Sequence, residues 1–110
     1  MRGDDGEHWH LAAKVGEVRD DEALAVTLGE QQIAVVMVGG TYYAIANVCT
    51  HEYACLSDGL IEGEEIECPL HQARFHIPTG KALTEPAIVD LRTFKVKIEG
   101  QGIYVLIAKE

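Results

Sequence analysis

Residues 33–46 read Ile-Ala-Val-Val-Met-Val-Gly-Gly-Thr-Tyr-Tyr-Ala-Ile-Ala, and this stretch predicts the fold class. Two runs rich in β-branched and aromatic residues, 33–38 and 41–46, are separated only by the pair Gly39-Gly40. A two-residue glycine turn between such runs is typical of a β-hairpin, because the turn requires positive φ angles. The stretch therefore predicts an antiparallel pair of strands.

Similar runs occur before this hairpin and at the end of the chain. Residues 23–28 predict a strand, residues 94–98 alternate apolar residues with lysines, and residues 103–108 form another apolar run after a Gly-Gln-Gly turn. Short strands separated by turn residues are typical of antiparallel sheets that pack face to face. We therefore expect an all-β protein, an antiparallel β-sandwich.

The middle of the chain differs from both ends. The stretch from Asn47 to about Ala87 holds all 3 cysteines, all 3 prolines and His51, His71 and His76. Long irregular stretches inside a compact domain usually carry function. We expect one domain over residues 1–110, with a β base at about 1–46 and 88–110 and a loop-rich subdomain at about 47–87.

Composition excludes several classes of protein. The chain has 110 residues, 47% of them hydrophobic, which suits one folded domain and not a disordered acidic tail. A net charge of −9 disfavours binding to nucleic acid. The longest apolar run, 33–38, is far shorter than the roughly 20 residues of a membrane span. The acidic N-terminus does not look like a signal peptide, so we expect a cytoplasmic protein that does not bind membranes.

Two short motifs carry candidate metal ligands. The first motif is Cys49-Thr50-His51, and the second motif, after 16 intervening residues, is Cys68-Pro69-Leu70-His71. One thiolate and one imidazole from each could complete a zinc site or hold a binuclear iron–sulfur cluster. Structural zinc sites commonly draw like ligands from one motif, whereas a [2Fe–2S] cluster with two His replacing two Cys needs two of each. The mixed pairs therefore favour the cluster.

At these motifs the sequence resembles the Rieske [2Fe–2S] family, and especially the small ferredoxins of bacterial aromatic ring-hydroxylating dioxygenases. The resemblance extends from the flanking strands through four matching stretches, which are Asn47-Val48-Cys49-Thr50-His51, Leu56-Ser57-Asp58-Gly59, Ile66-Glu67-Cys68-Pro69-Leu70-His71 and Thr79-Gly80-Lys81. It implies a Rieske-type fold whose loop-rich subdomain binds one [2Fe–2S] cluster. Glu85-Pro86-Ala87 falls where the family has a proline-bearing loop over the cluster.

The resemblance also implies a ligand set and a role. Cys49 and Cys68 would bind one iron, and His51 and His71 the other. The protein would be a monomeric electron carrier and not an enzyme, taking single electrons from a flavin-dependent reductase to a terminal oxygenase. A chain that performed the oxygenation itself would need a further mononuclear iron site, for which only His8, His10 and His76 remain. Two alternatives stay open: the small Rieske subunit of a nitrite reductase, and a structural zinc module.

Residues near the motifs carry further expectations. Cys55 is expected to be a small buried hydrophobe, and His76 a surface residue, because neither has a partner at ligand spacing. High-potential relatives have a second-loop cysteine and two hydroxyl groups where this chain has Leu70, Ala73 and Phe75. Fewer hydrogen bonds to the cluster sulfurs predict a potential at the low end of the Rieske range. The acidic residues nearest the motifs are candidates for docking, and they are Glu52, Asp58, Glu62, Glu64 and Glu65.

Overall fold

A computed structural model describes residues 7–48, 54–69, 73–84 and 89–108. Within these residues, ten β-strands and one short 3₁₀ helix follow each other along the chain. Their bounds are β1 Glu7–Lys14, β2 Glu22–Leu28, β3 Gln31–Val38, β4 Thr41–Ala46, the 3₁₀ helix Leu56–Asp58, β5 Leu60–Glu62, β6 Glu65–Glu67, β7 Arg74–His76, β8 Thr93–Phe94, β9 Val96–Glu99 and β10 Gly102–Ala108.

The strands form three antiparallel sheets. The outer sheet has the strand order β1-β10-β9, the central sheet β2-β3-β4-β8, and the site sheet β5-β6-β7. The predicted hairpin is confirmed, since β3 pairs with β4 in register from Val38–Thr41 to Ile33–Ala46. Gly39 and Gly40 have φ angles of 58° and 81°, as the turn requires. The all-β, antiparallel fold class is therefore confirmed.

The central sheet is buried on both faces because β3 is apolar at successive positions. Ile33 and Val35 face a first core, which they share with β10 of the outer sheet. Ala34 and Val36 face a second core, which they share with Ile66 and Phe75 of the site sheet and with other buried residues. Successive side chains on a strand point to opposite faces, so one apolar run serves two cores. The site sheet therefore packs against the face of the central sheet that points away from the outer sheet.

One predicted strand is two strands. Residues 94–98 were expected to form a single strand, but Phe94 ends β8 in the central sheet and Val96 begins β9 in the outer sheet. Between them, the carbonyl of Lys95 accepts a hydrogen bond from the Leu106 amide at 2.9 Å. The chain therefore changes sheets at Lys95 and ties the two layers of the sandwich together. Alternation of apolar residues continues through this bend, which is why it predicts one strand.

The middle of the chain is more regular than expected. Three short strands, β5, β6 and β7, form a sheet whose inner row is Ile61, Ile66 and Phe75. Phe75 and Ile66 are fully buried, and the turn between β5 and β6 has only two residues, Gly63 and Glu64. In the part of the chain that the structure describes, no helix is long and apolar enough to span a bilayer.

Candidate metal centre

The residues on both sides of the first motif lie next to each other. Val48 and Cys55 form an antiparallel bridge, and the Leu56 amide donates to the carbonyl of Asn47 at 2.7 Å. The Asn47 side chain is buried, with 3% of its surface exposed, and its Oδ1 accepts a hydrogen bond from the Ser57 amide at 2.8 Å. A buried amide oxygen needs such a donor, so Asn47 fixes where the chain returns after the first motif.

The second motif begins inside the second core. Cys68 follows β6 directly, has none of its surface exposed, and donates its backbone N–H to the carbonyl of Ala73 at 2.7 Å. Ala73 is also fully buried and leads directly into β7. The β6–β7 hairpin therefore brings the chain back beside Cys68 after the second motif.

The two motifs are anchored at the same place in the fold. Leu56, which follows the first motif, is buried in the second core together with Cys68 and Ala73, and Ala54 packs against that core. Gly59 provides the closest approach, because a Cβ atom at this residue would lie 1.8 Å from the carbonyl oxygen of Glu67. Its φ is −86°, so the need for glycine is steric and not conformational. The chain after the first motif therefore packs directly on the strand before the second.

Of the four predicted ligands, the structure describes only Cys68. Cys49, His51 and His71 lie outside the described residues, so the complete ligand set remains a prediction. The described surroundings fit a [2Fe–2S] cluster with two Cys and two His ligands. The Cys68 side chain lies in an apolar core to which both motifs are anchored, and its burial limits the access of water to this sulfur donor.

A third stretch is anchored beside the second motif. Gly80 has a φ of +76°, and a Cβ atom there would lie 2.2 Å from the Leu91 carbonyl oxygen, so no larger residue fits. The Leu91 amide donates to the Gly80 carbonyl at 2.7 Å, and the Ala82 amide donates to Asp90 Oδ1 at 2.9 Å. The chain is therefore anchored on both sides of Glu85-Pro86-Ala87, which lies outside the described residues.

The remaining cysteine is not where it was expected. Cys55 is exposed, so the prediction of a buried hydrophobe is wrong. Its side of the Val48–Cys55 bridge borders a pocket of about 200 Å³ lined by Gln32, Val48 and Ala54. The apolar neighbours of Cys55 in the sequence, Ala54 and Leu56, do not show that its side chain faces solvent.

The acidic residues of the site sheet are paired with cations. Arg74 Nη2 lies 2.8 Å from both Glu62 and Glu67, and its Nη1 lies 3.2 Å from Glu65. The hydrogen bonds to Glu62 and then to Glu65 raise the pKa of Arg74 above its usual value. Arg74 was not singled out from the sequence. The available signal was the alternation of polar and apolar residues, which puts Arg74 on the face opposite to Phe75 and puts the glutamates of β6 on the face opposite to Ile66.

His76 is a surface residue of this sheet, as predicted. Its Nδ1 lies 2.8 Å from Thr79 Oγ1, and its Nε2 lies 3.3 Å from Glu64. The predicted docking acids Glu62, Glu64 and Glu65 therefore all have partners, yet 60%, 58% and 43% of their side-chain surfaces remain exposed. Asp58 is exposed at the end of the 3₁₀ helix, and Glu52 lies outside the described residues.

Comparison with known proteins identifies a family and its members. The family description "Rieske [2Fe-2S] domain" matches residues 8–95. The ferredoxin component of the naphthalene 1,2-dioxygenase system of Pseudomonas aeruginosa is 44% identical over 99 residues, which are 90% of this chain and 95% of that protein.

Solved structures give the same result. The ferredoxin of carbazole 1,9a-dioxygenase from Nocardioides aromaticivorans IC177 superposes with a TM-score of 0.84 at 32% identity, over 88% of this chain and 95% of that one. A similar chain, with a TM-score of 0.83, 33% identity and coverage of 88% and 91%, comes from a complex of reduced oxygenase and oxidized ferredoxin in carbazole 1,9a-dioxygenase. A nitrite reductase small subunit from Mycobacterium tuberculosis has a TM-score of 0.82 over 92% of this chain and 96% of that one, but at 19% identity it shares the fold alone.

The contact between Gly59 and Glu67 yields a prediction about stability. Gly59→Ala places a methyl group against a backbone carbonyl that cannot move aside without displacing the residue before Cys68. We expect the free energy of unfolding to fall by about 3 kcal/mol or more. Chemical denaturation of the purified protein measures the change.

Gly63→Ala is the matched control. Gly63 has a φ of 59°, but nothing lies within 4 Å of its added methyl group. Its cost is backbone strain alone, about 1 kcal/mol. Equal stability of the two variants would contradict the close packing of the two motifs.

Proposed function

Since the chain belongs to the Rieske [2Fe–2S] family, we propose that it is the ferredoxin component of an aromatic ring-hydroxylating dioxygenase system. The protein is an electron carrier and not an enzyme itself. The observation that supports the proposal most directly is 44% identity over nearly the whole chain to a naphthalene dioxygenase ferredoxin. Nitrite reductase small subunits share only the fold, so the nitrite reductase alternative is the less well supported one.

In this proposal the two motifs hold the cluster between them. Cys49 and Cys68 would bind one iron and His51 and His71 the other. When bound, a cluster of this type accepts and releases one electron at a time. Cys68 supplies its thiolate from within the second core. The Val48–Cys55 bridge and the hydrogen bond from the Cys68 amide to Ala73 keep the ends of the ligand-bearing stretches together. A binding site that changes little between oxidation states favours fast transfer.

The partners follow from the relatives. One solved complex contains an oxygenase together with a ferredoxin of this fold, and the similar ferredoxins are components of dioxygenase systems. A flavin-dependent reductase would load the electron and the oxygenase would receive it. The protein would act in the cytoplasm as a monomer, as one domain over residues 1–110 with the cluster-binding part at about 47–87.

The acidic residues of the site sheet favour brief encounters with the reductase and the oxygenase. Four glutamates, Glu62, Glu64, Glu65 and Glu67, share one arginine and one histidine, so this face carries excess negative charge. Oppositely charged surfaces raise the rate of encounter without requiring high affinity. A basic patch on the reductase or the oxygenase would complement this face.

Substitution of one ligand tests the assignment of the cluster. Cys68→Ser removes a thiolate and leaves a poor ligand for iron, so we expect the purified protein to lose iron, sulfide and the visible absorption of a [2Fe–2S] cluster. Cys55→Ser is the control, and it should keep all three because Cys55 is exposed and is not an expected ligand. Far-ultraviolet circular dichroism separates loss of the cluster from loss of the fold. Full cluster content in Cys68→Ser would contradict the assignment.

The reduction potential provides a second test. Ala73 and Phe75 are fully buried apolar residues and carry no hydroxyl that could donate to cluster sulfurs. Fewer donors stabilise the reduced, more negative cluster less, so we expect a potential of about −150 mV. Protein-film voltammetry measures it. A potential above zero would contradict the comparison with low-potential ferredoxins.

Electron delivery tests the function itself. Reduced protein, mixed with the terminal oxygenase of its own system, should be reoxidised rapidly, and the rate should fall as salt shortens the Debye length from about 10 Å to about 3 Å. Stopped-flow absorbance follows this reaction. A rate no faster than with unrelated protein would contradict the role.

A pair of variants localises the docking charge. Glu64→Gln should slow the reaction at low salt, whereas Glu99→Gln should not. Both glutamates are exposed and each contacts one basic side chain, but Glu99 lies on β9 of the outer sheet. Equal rates for the two variants at every salt concentration would contradict docking through the site sheet.

A further inference from the structure

Arg74 is placed next to a proposed ligand by the register of the β6–β7 hairpin. It pairs with Glu67, the residue before Cys68, and the hydrogen bond from the Cys68 amide to Ala73 closes the next position of the hairpin. Arg74 is thus the first strand residue after the second motif. Any movement of its backbone is transmitted to the start and the end of that motif.

The Arg74 side chain joins all three strands of the site sheet. Its two terminal nitrogens contact Glu62 on β5 and Glu65 and Glu67 on β6, at distances of 2.8 to 3.2 Å. The contact with Glu67 is the most protected, since the side chains of Arg74 and Glu67 are 28% and 20% exposed. A planar guanidinium holds five donors in a fixed plane and can serve several carboxylates in a defined geometry, which the ammonium group of a lysine does not provide.

The Arg74 backbone holds a second element. Its N–H donates to Thr84 Oγ1 at 2.9 Å, and its carbonyl accepts from the Leu83 amide at 2.8 Å. Thr84 is the last described residue before Glu85-Pro86-Ala87. One residue therefore connects the second motif to the stretch that enters the proline-bearing segment.

Arg74 also supplies positive charge to a sheet face that is otherwise acidic. Within β5, β6 and β7 it is the single arginine or lysine, among four glutamates of the sheet and its first turn. Reduction adds a negative charge to a cluster, and a nearby cation favours that state. The charge on Arg74 thus offsets part of the field of the surrounding carboxylates.

We propose that Arg74 is a positioning residue for the cluster: it connects the second motif to Thr84 and raises the reduction potential through its charge. This role of Arg74 rests on the proposed function, because it requires that Cys68 and His71 are ligands of the cluster. Its two parts, position and charge, make different predictions for different substitutions.

Three variants separate position from charge. Arg74→Gln should lose the cluster to an iron chelator roughly tenfold faster than the unsubstituted protein and should have a lower potential. Arg74→Lys keeps the charge but not the planar fork, so the potential should hardly change while the cluster is still lost faster. Arg19→Gln is the matched control. It removes the same charge from an exposed turn before β2, near the Gly39-Gly40 end of the central sheet, and should change neither quantity.

A fourth variant tests the backbone connection without changing any charge. Thr84→Val removes the hydroxyl oxygen that accepts a hydrogen bond from the Arg74 amide. Cluster loss should therefore accelerate, while the potential stays close to that of the unsubstituted protein. This variant leaves the guanidinium and its carboxylates intact. It therefore keeps the proposal testable if Arg74→Gln does not fold, which far-ultraviolet circular dichroism shows.

The outcomes distinguish this proposal from the proposed function. Equal potential and equal cluster lifetime in Arg74→Gln and Arg19→Gln would overturn the role of Arg74 and leave the electron carrier intact. A lower potential with an unchanged lifetime would overturn the positioning role. Absence of a [2Fe–2S] spectrum in the unsubstituted protein would overturn the proposed function, and this proposal with it.

Discussion

The contact between the backbone at Gly59 and the carbonyl of Glu67 is the constraint on which the arrangement of the metal centre depends. It joins the chain after the first motif to the strand before the second, at a distance that leaves no room for a Cβ atom. The Val48–Cys55 bridge brings the chain back to this contact after the first motif, and the hydrogen bond between Cys68 and Ala73 does the same after the second motif. Two motifs that are 16 residues apart in sequence thereby share one anchoring core.

The central sheet explains why such a small protein can support this arrangement. β3 contributes alternate residues to two cores, so the sandwich and the site sheet are stabilised by the same strand. Apolar burial therefore places Cys68 on a rigid support. The charged face of the site sheet remains available to a partner, while Arg74 limits the repulsion among its glutamates.

A local signal in the sequence predicted the hairpin, whereas the ligand set stays a prediction because the structure describes only Cys68 of the four residues. Gly39-Gly40 fixes a turn by its φ requirement, and the ligand types are fixed by the chemistry of iron and sulfur. Features set by long-range packing were not predictable. The change of sheets at Lys95 preserves apolar alternation, and the bulge between Leu11 and Ala13 shifts the alternation within β1. The exposure of Cys55 and the contacts of Arg74 depend on pairings that only the folded chain reveals.

The central claim is that two histidines and two cysteines of this chain hold one cluster. Pulsed electron paramagnetic resonance of the reduced protein, produced with ¹⁵N-labelled histidine, tests this claim most directly. The account predicts strong couplings from two histidine nitrogens bound to the same iron. Coupling to one nitrogen, or to none, would contradict the assignment of His51 and His71 as ligands.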